Sequence, residues 1–416
     1  MKNIKVHIET LGPVKHATLE LGQTLFFTGA SNLGKSYVCF LSYYVFSLFA
    51  NGRLIGFLSD KIKNTEQLAE FSFSIEELTQ WMEKDVKLFF AYLLNYPDVP
   101  CEVSFDFGEV VESYHVKCNE QNLSDTKIPV GTHIVDVYIN EKRHNFISFK
   151  NRLLSDLVSI ISTTLSADLL GSSINHAYLL PPGRASLLGE SFSNQKNSSK
   201  IGMYDIFLQD NDLINNKRIS TALNKSVETF EKRIYRLLNG VLSPDKEGVA
   251  LRLDAGNEIP LSAAASSIKE LSPLLLWMQT NDVGSDSVCI EEPEAHAHPE
   301  MQFAIADLLA ACINEGTHFQ ITTHSDYFLS RINQLMRLGR LKKENSESYE
   351  AICQKHHIAS DISLDAAKIT AYYFYFDAQT QGTKIEKLDL SDGIPFTTFS
   401  NIVNRQIDLD ADLEEA

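Results

Sequence analysis

The first fifty residues change from alternating to nearly continuous hydrophobicity. Residues 4–21 alternate apolar and polar side chains on either side of Gly12-Pro13, which predicts a β-hairpin with this dipeptide in its turn. Residues 24–28 form a short, mostly apolar run typical of a buried strand, and the aromatic-rich stretch that ends near Ala50 has the length of a helix. The pattern predicts a hairpin followed by a strand, a loop and a helix.

The middle of the chain changes periodicity twice. Apolar residues have helical spacing in three stretches, residues 65–94, 151–166 and 203–239. Residues 101–149 instead alternate apolar and polar side chains, which predicts an antiparallel sheet. Residues 190–200 are almost entirely polar and predict a flexible loop. We therefore assign residues 55–245 to an inserted helical and antiparallel-sheet region.

Strands and helices alternate regularly after residue 246. The predicted strands cover residues 248–253, 259–261, 287–291 and 319–323, and the predicted helices cover residues 266–279, 299–315 and 326–338. A hairpin over residues 371–390 and a last helix near residues 398–406 follow. Regular alternation predicts a largely parallel sheet. We expect an α/β fold whose mixed central sheet is built from residues 1–54 and 246–416.

The composition describes an ordinary globular chain with an acidic surface. Of 416 residues, 44% are hydrophobic and 22% are charged, which excludes a disordered chain and a small disulfide scaffold. Asp and Glu outnumber Lys and Arg by 54 to 37, so the formal charge is −17. Such a surface repels nucleic acid unless basic groups are gathered locally. A general DNA coat protein is therefore disfavoured.

The cysteines and the apolar runs bear on the cellular compartment. Six cysteines are scattered along the chain without a Cys-x-x-Cys pair, which favours reduced core thiols in a cytoplasmic protein. Residues 37–50 form the most hydrophobic stretch, which is shorter than the roughly 20 residues of a membrane span. We expect no association with a membrane.

A phosphate-binding loop lies between the predicted strand and helix near the N-terminus. The segment Gly29-Ala-Ser-Asn-Leu-Gly-Lys-Ser36 fits the pattern G-x-x-x-x-G-K-[ST], in which backbone N–H groups and the lysine bind phosphates and the serine binds Mg²⁺. The alternative is a glycine-rich turn without a ligand. The predicted nucleotide-binding residues are Gly29, Ala30, Ser31, Asn32, Leu33, Gly34, Lys35, Ser36 and Tyr37.

An acidic segment and a histidine follow two later strands. Glu291 ends one predicted strand, where it is placed to reach Mg²⁺ together with Ser36, and Glu292 is placed to polarise the attacking water. A solvated acidic loop is the alternative. His324 ends the next strand, where an imidazole can contact a γ-phosphate, although a structural histidine is the alternative. We predict Glu292, His324 and Lys35 as catalytic residues.

The order of these motifs resembles a known family. A P-loop, then Glu-Glu-Pro-Glu-Ala-His-Ala-His-Pro at residues 291–299, then Thr-Thr-His-Ser at residues 322–325, is similar to the ABC-type ATPases of the overcoming-lysogenization-defect (OLD-like, AAA-15-like) group. The resemblance covers residues 1–60 and about 175–405. It implies ATP and Mg²⁺ as cofactors, and it implies that residues 295–299 contact a second subunit. A metal site formed by His296 and His298 is the alternative for that segment.

ATPases of this class complete each nucleotide site with a signature loop from a partner subunit. The resemblance therefore implies that Ser266 or Ser267, at the start of a predicted helix, contacts the partner's γ-phosphate. Ile268 follows where many relatives have glycine, so the choice of serine stays open, and a helix cap is the alternative role. Arg184 matches a loop that contacts nucleotide or transmits closure, or else it is a surface arginine. The glutamine that bridges metal and water in relatives has no assigned position.

These features predict an ATP- and Mg²⁺-dependent ATPase that works as a homodimer or higher oligomer. The resemblance implies control of a separate effector, a nuclease or a toxin, in bacterial defence against phage or plasmids. Two alternatives stay open. One is a DNA repair or recombination ATPase that clamps DNA directly, and the other is a nucleotide-gated scaffold with little turnover.

Two further features are expected to have no chemical role. Many relatives carry a fused metal-dependent nuclease domain of about 100 residues. Only residues 391–416 follow the last hairpin, so we expect no nuclease in this chain despite the acidic run of Asp408, Asp410 and Asp412. His356 and His357 are more typical of a solvated loop than of a metal site.

Overall fold

The computed structural model describes residues 4–62, 70–121, 132–149, 152–188, 202–216, 225–245, 248–254, 256–395 and 397–415. The strands are β1 (Ile4–Leu11), β2 (Val14–Leu21), β3 (Thr24–Gly29), β4 (Phe71–Ser74), β5 (Cys101–Asp106), β6 (Ser113–Gln121), β7 (Thr132–Ile139), β8 (Lys142–Phe149), β9 (His176–Leu180), β10 (Gly240–Asp245), β11 (Gly248–Leu253), β12 (Glu258–Pro260), β13 (Asp286–Glu291), β14 (His318–Thr322), β15 (Ile369–Asp377) and β16 (Gly382–Lys387).

The helices are α1 (Lys35–Ala50), α2 (Ile55–Leu58), α3 (Ile75–Leu93), α4 (Leu153–Leu165), α5 (Arg184–Leu188), α6 (Met203–Asn216), α7 (Lys225–Leu238), α8 (Ser266–Thr280), α9 (Pro299–Glu315), α10 (Asp326–Glu344), α11 (Ser346–His356) and α12 (Thr397–Glu415). The predicted flexible loop at residues 190–200 lies outside the described residues.

The central sheet is mixed, as predicted. Nine strands follow the order β5-β1-β2-β16-β15-β3-β14-β13-β9. The five strands from β15 to β9 pair in parallel, whereas β5, β1 and β2 pair antiparallel. Because the carboxyl ends of parallel strands share one edge, the ends of β3, β13 and β14 lie side by side. This edge positions the site described below.

The parallel strands are covered by helices on both faces, which explains why their sequences are apolar at successive positions. Every residue of β3, β13 and β14 is buried. Phe27 packs into a core with α1 and α3, whereas its neighbour Phe26 packs into a second core with α8, α9 and α10. The alternation of side chains along one strand therefore connects two cores across a single sheet.

The middle of the chain differs from the predicted insertion in its connectivity. The antiparallel sheet β4-β6-β7-β8 is separate from the central sheet, but β5 and β9, which also fall within residues 55–245, belong to the central sheet. The local pattern of a strand, alternating in β5 and continuously apolar in β9, cannot reveal which sheet the strand joins, because pairing is a long-range contact. A further strand, β10, pairs with β11 where only a helix end was predicted. The domain boundaries at residues 54 and 245 stay a prediction.

Two other expectations concern cysteines and apolar helices. The six cysteines are free and buried, as predicted. The helical segment Leu153–Leu170 is long and apolar enough to cross a membrane by length and composition, but half of that window is buried inside the protein and α4 packs against α1. Core helices of globular proteins meet the same criterion, so this segment is weak support for a membrane span.

The C-terminal helix α12 is longer than predicted and continues to Glu415. Asp408, Asp410 and Asp412 are therefore helical.

Candidate active site

The loop between β3 and α1 has a backbone that requires glycine at both ends. Gly29 has φ 127°, and a Cβ there would lie 2.4 Å from the carbonyl oxygen of Phe374 on β15. Gly34 has φ 81°, and its Cβ would lie 2.8 Å from the ring of Pro13. Both the dihedral angles and the space therefore exclude a larger side chain. The exposed loop residues are Ala30, Ser31 and Asn32.

Lys35 is the first residue of α1, and its side chain is buried against the loop. Its Nζ donates hydrogen bonds to the carbonyl oxygens of Gly29 at 3.1 Å and Ala30 at 2.6 Å. Burial lowers the pKa of Lys35 to about 8, while the charges of Glu292 and Glu291 oppose this shift. A cation beside free N–H groups at a helix N-terminus is suited to binding phosphate.

Ser36 and Glu291 meet beneath this loop. The Ser36 hydroxyl donates to Glu291 Oε2 at 2.9 Å. Burial raises the pKa of Glu291 to about 7, an effect that the Ser36 hydrogen bond opposes. The other carboxylate oxygen, Oε1, is buried and has no hydrogen-bond partner among the described residues. A hydroxyl beside an unpaired carboxylate oxygen fits Mg²⁺, which takes few protein oxygens and completes its shell with phosphate and water.

Glu292 is adjacent to Glu291 but lies in a different environment. Its φ of 46° is left-handed, and its N–H donates to the carbonyl oxygen of Thr322 at the end of β14 at 3.0 Å. Its side chain is 44% exposed, and Oε1 lies 3.9 Å from Nε2 of His324. The turn after β13 therefore buries one carboxylate and leaves the next one accessible to water.

His324 follows β14, and its backbone N–H is bound by Glu294, a residue for which the sequence analysis predicted no role. Its N–H donates to Glu294 Oε1 at 2.9 Å, and the same oxygen accepts a hydrogen bond from the Thr323 hydroxyl at 2.7 Å. Burial lowers the pKa of His324, and the charge of Lys35 acts in the same direction. A third glutamate close to Glu291 and Glu292 was the only sequence signal for Glu294.

Tyr37 and Leu33 take part in packing. The ring of Tyr37 stacks on Phe90 of α3, with centroids 6.3 Å apart, and covers Gly12 so closely that a Cβ there would lie 2.7 Å from the ring. Leu33 packs against the same core. Both side chains are therefore engaged in the core, which leaves their backbone groups for the predicted contact with nucleotide.

Ser266 and Ser267 lie in the first turn of α8, and the structure does not bring them to the P-loop. Ala265 is the N-cap residue, and no side chain caps this helix, so the helix-cap alternative is wrong for both serines. Ser266 is exposed, and Ser267 is partly exposed. Among the described residues, no hydrogen bond joins either serine to residues 29–36. In the first turn of α8 the N–H groups of Ile268 and Lys269 donate to the Ala265 carbonyl oxygen, whereas those of Ser266 and Ser267 have no backbone partner among the described residues.

Arg184 is fully buried, so the surface-arginine alternative is wrong. Its Nη1 donates to the carbonyl oxygen of Glu291 at 2.9 Å, and its Nε donates to the carbonyl oxygen of Glu270 at 2.7 Å. The Glu270 carboxylate lies 3.3 Å from Nε and also accepts a hydrogen bond from the N–H of Ala185. Arg184 thus joins the end of the β13 strand to the helix that carries Ser266 and Ser267.

The four histidines named as alternative metal ligands are exposed. His296 and His298 lie in the turn before α9, and His356 and His357 lie at the end of α11. The parts of the chain that the structure describes hold no group of three or more His, Cys, Asp and Glu residues placed to share a metal ion. The position of a bridging glutamine stays unassigned.

The central sheet and the P-loop at its carboxyl edge form a P-loop nucleotide-binding fold. The family model described as an AAA ATPase domain matches residues 1–329, and the chain belongs to this family. It is therefore a nucleotide-binding protein of the ATPase type. A search of curated proteins found no match.

Three solved structures are distantly similar in fold. The Smc head bound to the C-winged helix domain of ScpA is 12% identical, with a TM-score of 0.38 over 94% of this chain and 98% of that one. The SMC head domain from Thermotoga maritima is 10% identical, with a TM-score of 0.36 over 94% and 100%. The Smc head domain with an extended coiled coil, bound to the C-terminal domain of ScpA derived from Pyrococcus furiosus, is 10% identical, with a TM-score of 0.39 over 97% and 99%.

Proposed function

We propose that this chain hydrolyses ATP with Mg²⁺ as a head-to-tail pair of subunits. The observation that carries the proposal is the division of the site. The P-loop, Lys35, Glu291, Glu292 and His324 converge within one chain, and the Ser36 hydroxyl lies 2.9 Å from Glu291. Within the described residues, the first turn of α8, with its two serines, makes no hydrogen bond to this cluster. A second subunit would supply that helix terminus.

In this proposal each residue has a distinct task. The loop N–H groups and Lys35 bind the phosphates, while Ser36 and Glu291 would hold Mg²⁺, which neutralises charge on the phosphate oxygens when bound. Glu292 is accessible enough to orient water and accept its proton as the water oxygen attacks the γ-phosphorus and the bond to ADP breaks. His324, 3.9 Å from Glu292, contacts the γ-phosphate.

Substitution of the proposed base tests hydrolysis directly. E292Q keeps the size and loses the proton acceptor, so ATP binding is retained and turnover falls about 10²–10⁴-fold. ATP should then hold the variant in a closed dimer, measurable by light scattering, whereas K35A should bind ATP weakly and stay open. Turnover of E292Q at the wild-type rate would show that Glu292 is not the base.

A mixing experiment tests the head-to-tail arrangement. K35A impairs the P-loop, and the S266A/S267A double variant impairs the signature helix. In a mixed pair, one nucleotide site receives both defects and the other receives neither, so mixing the two inactive proteins should restore turnover. If mixing restores nothing while each protein is folded, the serines act within their own chain or not at all.

The resemblance to the OLD-like group supports a role for this ATPase in controlling a separate nuclease or toxin during defence against phage or plasmids. Co-purification from the native host, followed by mass determination, tests for such an effector. The alternative DNA clamp predicts instead that the purified protein retains duplex DNA only with ATP, and that rising salt weakens this retention steeply. The chain's charge of −17 favours the regulatory role over the clamp.

A further inference from the structure

A groove lies outside the nucleotide site, among α7, α9, α10 and α11. It encloses about 1170 Å³. Much of its lining is apolar and includes Leu237, Met301, Leu338 and Leu341. Of these four, only Leu338 is buried, so the other apolar side chains are accessible from within the groove. An accessible apolar groove of this size is a common feature of surfaces that receive a helix.

The groove is lined by four arginines and by two carboxylates, Glu300 and Asp307, so its formal charge is positive in a chain that is otherwise strongly acidic. Two of its arginines are already paired, since Arg331 binds Asp307 and Arg233 binds Asp361. Arg236 and Arg337 also line it, are exposed, and form no ion pair within the described parts of the chain. Two unpaired arginines beside an apolar lining favour an occupant with an apolar face that also carries carboxylates, because these carboxylates can pair with the arginines.

The C-terminal helix α12 has this combination. Its residues Val403, Ile407, Leu409 and Leu413 are 42%, 58%, 58% and 66% exposed. At 100° per residue, all four fall within one half of the helix circumference. Asp410 and Glu414, one turn apart, fall within the same half, whereas Asp408 and Asp412 fall on the opposite half. The apolar face of α12 therefore carries two acidic side chains, and over residues 403–414 it is exposed in the part of the chain that the structure describes.

The sizes of the two surfaces also agree. Residues 403–413 span about 16 Å of helix, and a cylinder of that length and about 10 Å diameter occupies roughly 1300 Å³. This is close to the 1170 Å³ of the groove. Because each copy of the chain carries both the groove and the helix, two copies can satisfy both surfaces reciprocally, as in a closed two-fold pair.

We propose that α12 of a second copy docks in this groove. Its apolar face covers the groove lining, and Asp410 and Glu414 reach Arg236 and Arg337. Neither surface includes the P-loop or the first turn of α8, so this contact requires no nucleotide. It is a second interface in addition to the head-to-tail pair proposed for hydrolysis, and it borders residues 295–299, because His298 also lines the groove.

Charge reversal on each side tests the docking. The wild-type protein without nucleotide should associate, and R236E/R337E and D410R/E414R should each raise the dissociation constant at least about tenfold in sedimentation equilibrium. Combining the four changes should restore association, because the charges are then exchanged. D408R/D412R is the matched control, since it makes the same change of charge on the opposite half of α12 and should leave association unchanged.

Three results would overturn the proposal. The first is a wild-type protein that stays monomeric without nucleotide at micromolar concentration. The second is a control variant that weakens association as much as D410R/E414R, which would indicate general repulsion. The third is a combined variant that fails to associate although circular dichroism shows it folded. The groove and α12 variants leave the P-loop unchanged, so they should bind ATP as the wild-type protein does. Loss of association with ATP binding retained therefore concerns the docking proposal and not the hydrolysis proposal.

Discussion

The residues predicted to bind phosphate, to bind Mg²⁺ and to polarise water lie at the carboxyl ends of β3, β13 and β14. They are held there by hydrogen bonds, such as the one that joins Ser36 to Glu291. At the start of α8, by contrast, Ser266 is exposed and no side chain caps the helix. One region is organised by its own chain, and the other presents unused N–H groups. The difference indicates which half of the proposed catalytic site a partner would complete.

The two regions are physically connected through Arg184. This buried guanidinium donates to the carbonyl oxygen of Glu291 at one region and to that of Glu270, on α8, at the other. A displacement of α8 by a partner's nucleotide would therefore shift Arg184 and its hydrogen bond to Glu291 at the end of β13. The first prediction removes this connection.

R184M should have the largest effect. It leaves the Glu270 carboxylate buried without its cation, so the free energy of unfolding falls by about 3–5 kcal/mol in a denaturant titration. R184M/E270M removes both charges and should recover most of that stability. Turnover should stay low in the double variant, because the backbone carbonyl oxygen of Glu291 still lacks the hydrogen bond that Arg184 donates. Recovery of turnover together with stability would show that Arg184 has only a structural role.

E294A should perturb the site at the carboxyl ends of β3, β13 and β14 without perturbing the start of α8. It removes the acceptor for the Thr323 hydroxyl and the His324 N–H, and leaving both unpaired costs about 2–3 kcal/mol of stability. Turnover should fall about tenfold while ATP binding, which depends on Lys35, is unchanged. T323V removes only one of the two bonds to Glu294, together with the acceptor of the Ser325 N–H, and keeps the bond to the His324 N–H, so it should lower kcat less. Equal kcat for E294A and wild type would mean that the position of His324 does not limit hydrolysis.

The acidity of Glu291 should make stability depend on pH in the absence of Mg²⁺ and nucleotide. Its pKa rises from 4.5 to about 7 on folding, so the folded state binds more protons between these values. Stability from this residue is therefore present below about pH 4.5 and is lost as pH rises through 7. Relative to E291Q, the wild-type Tm should fall by about 2–4 °C between pH 5 and pH 8. A constant difference in Tm would contradict the raised pKa.

Much of the fold followed from local patterns. The apolar runs at β3, β13 and β14, each followed by a loop and a helix, predicted both the strands and their shared sheet, because buried parallel strands are apolar at every position. The spacing of Gly29, Gly34 and Lys35 predicted the phosphate loop, because the glycines are needed for local backbone angles. Local geometry is encoded by neighbouring residues.

Other features depended on contacts that no local pattern encodes. The alternating residues of β5 read as part of the insertion, yet β5 pairs with β1 about a hundred residues away. A surface position was one of the alternatives for Arg184, and a solvated loop was the alternative for the segment that contains Glu294, yet each side chain is buried by elements distant in the chain. The adjacent Glu291 and Glu292 differ in exposure, and the turn between them is held by the hydrogen bond from the Glu292 N–H to Thr322 at the end of β14. The amino-acid sequence alone was sufficient to predict the strands, the phosphate loop and their order along the chain. The burial of individual side chains and the pairing of strands depend on long-range packing, so only the tertiary structure determined them.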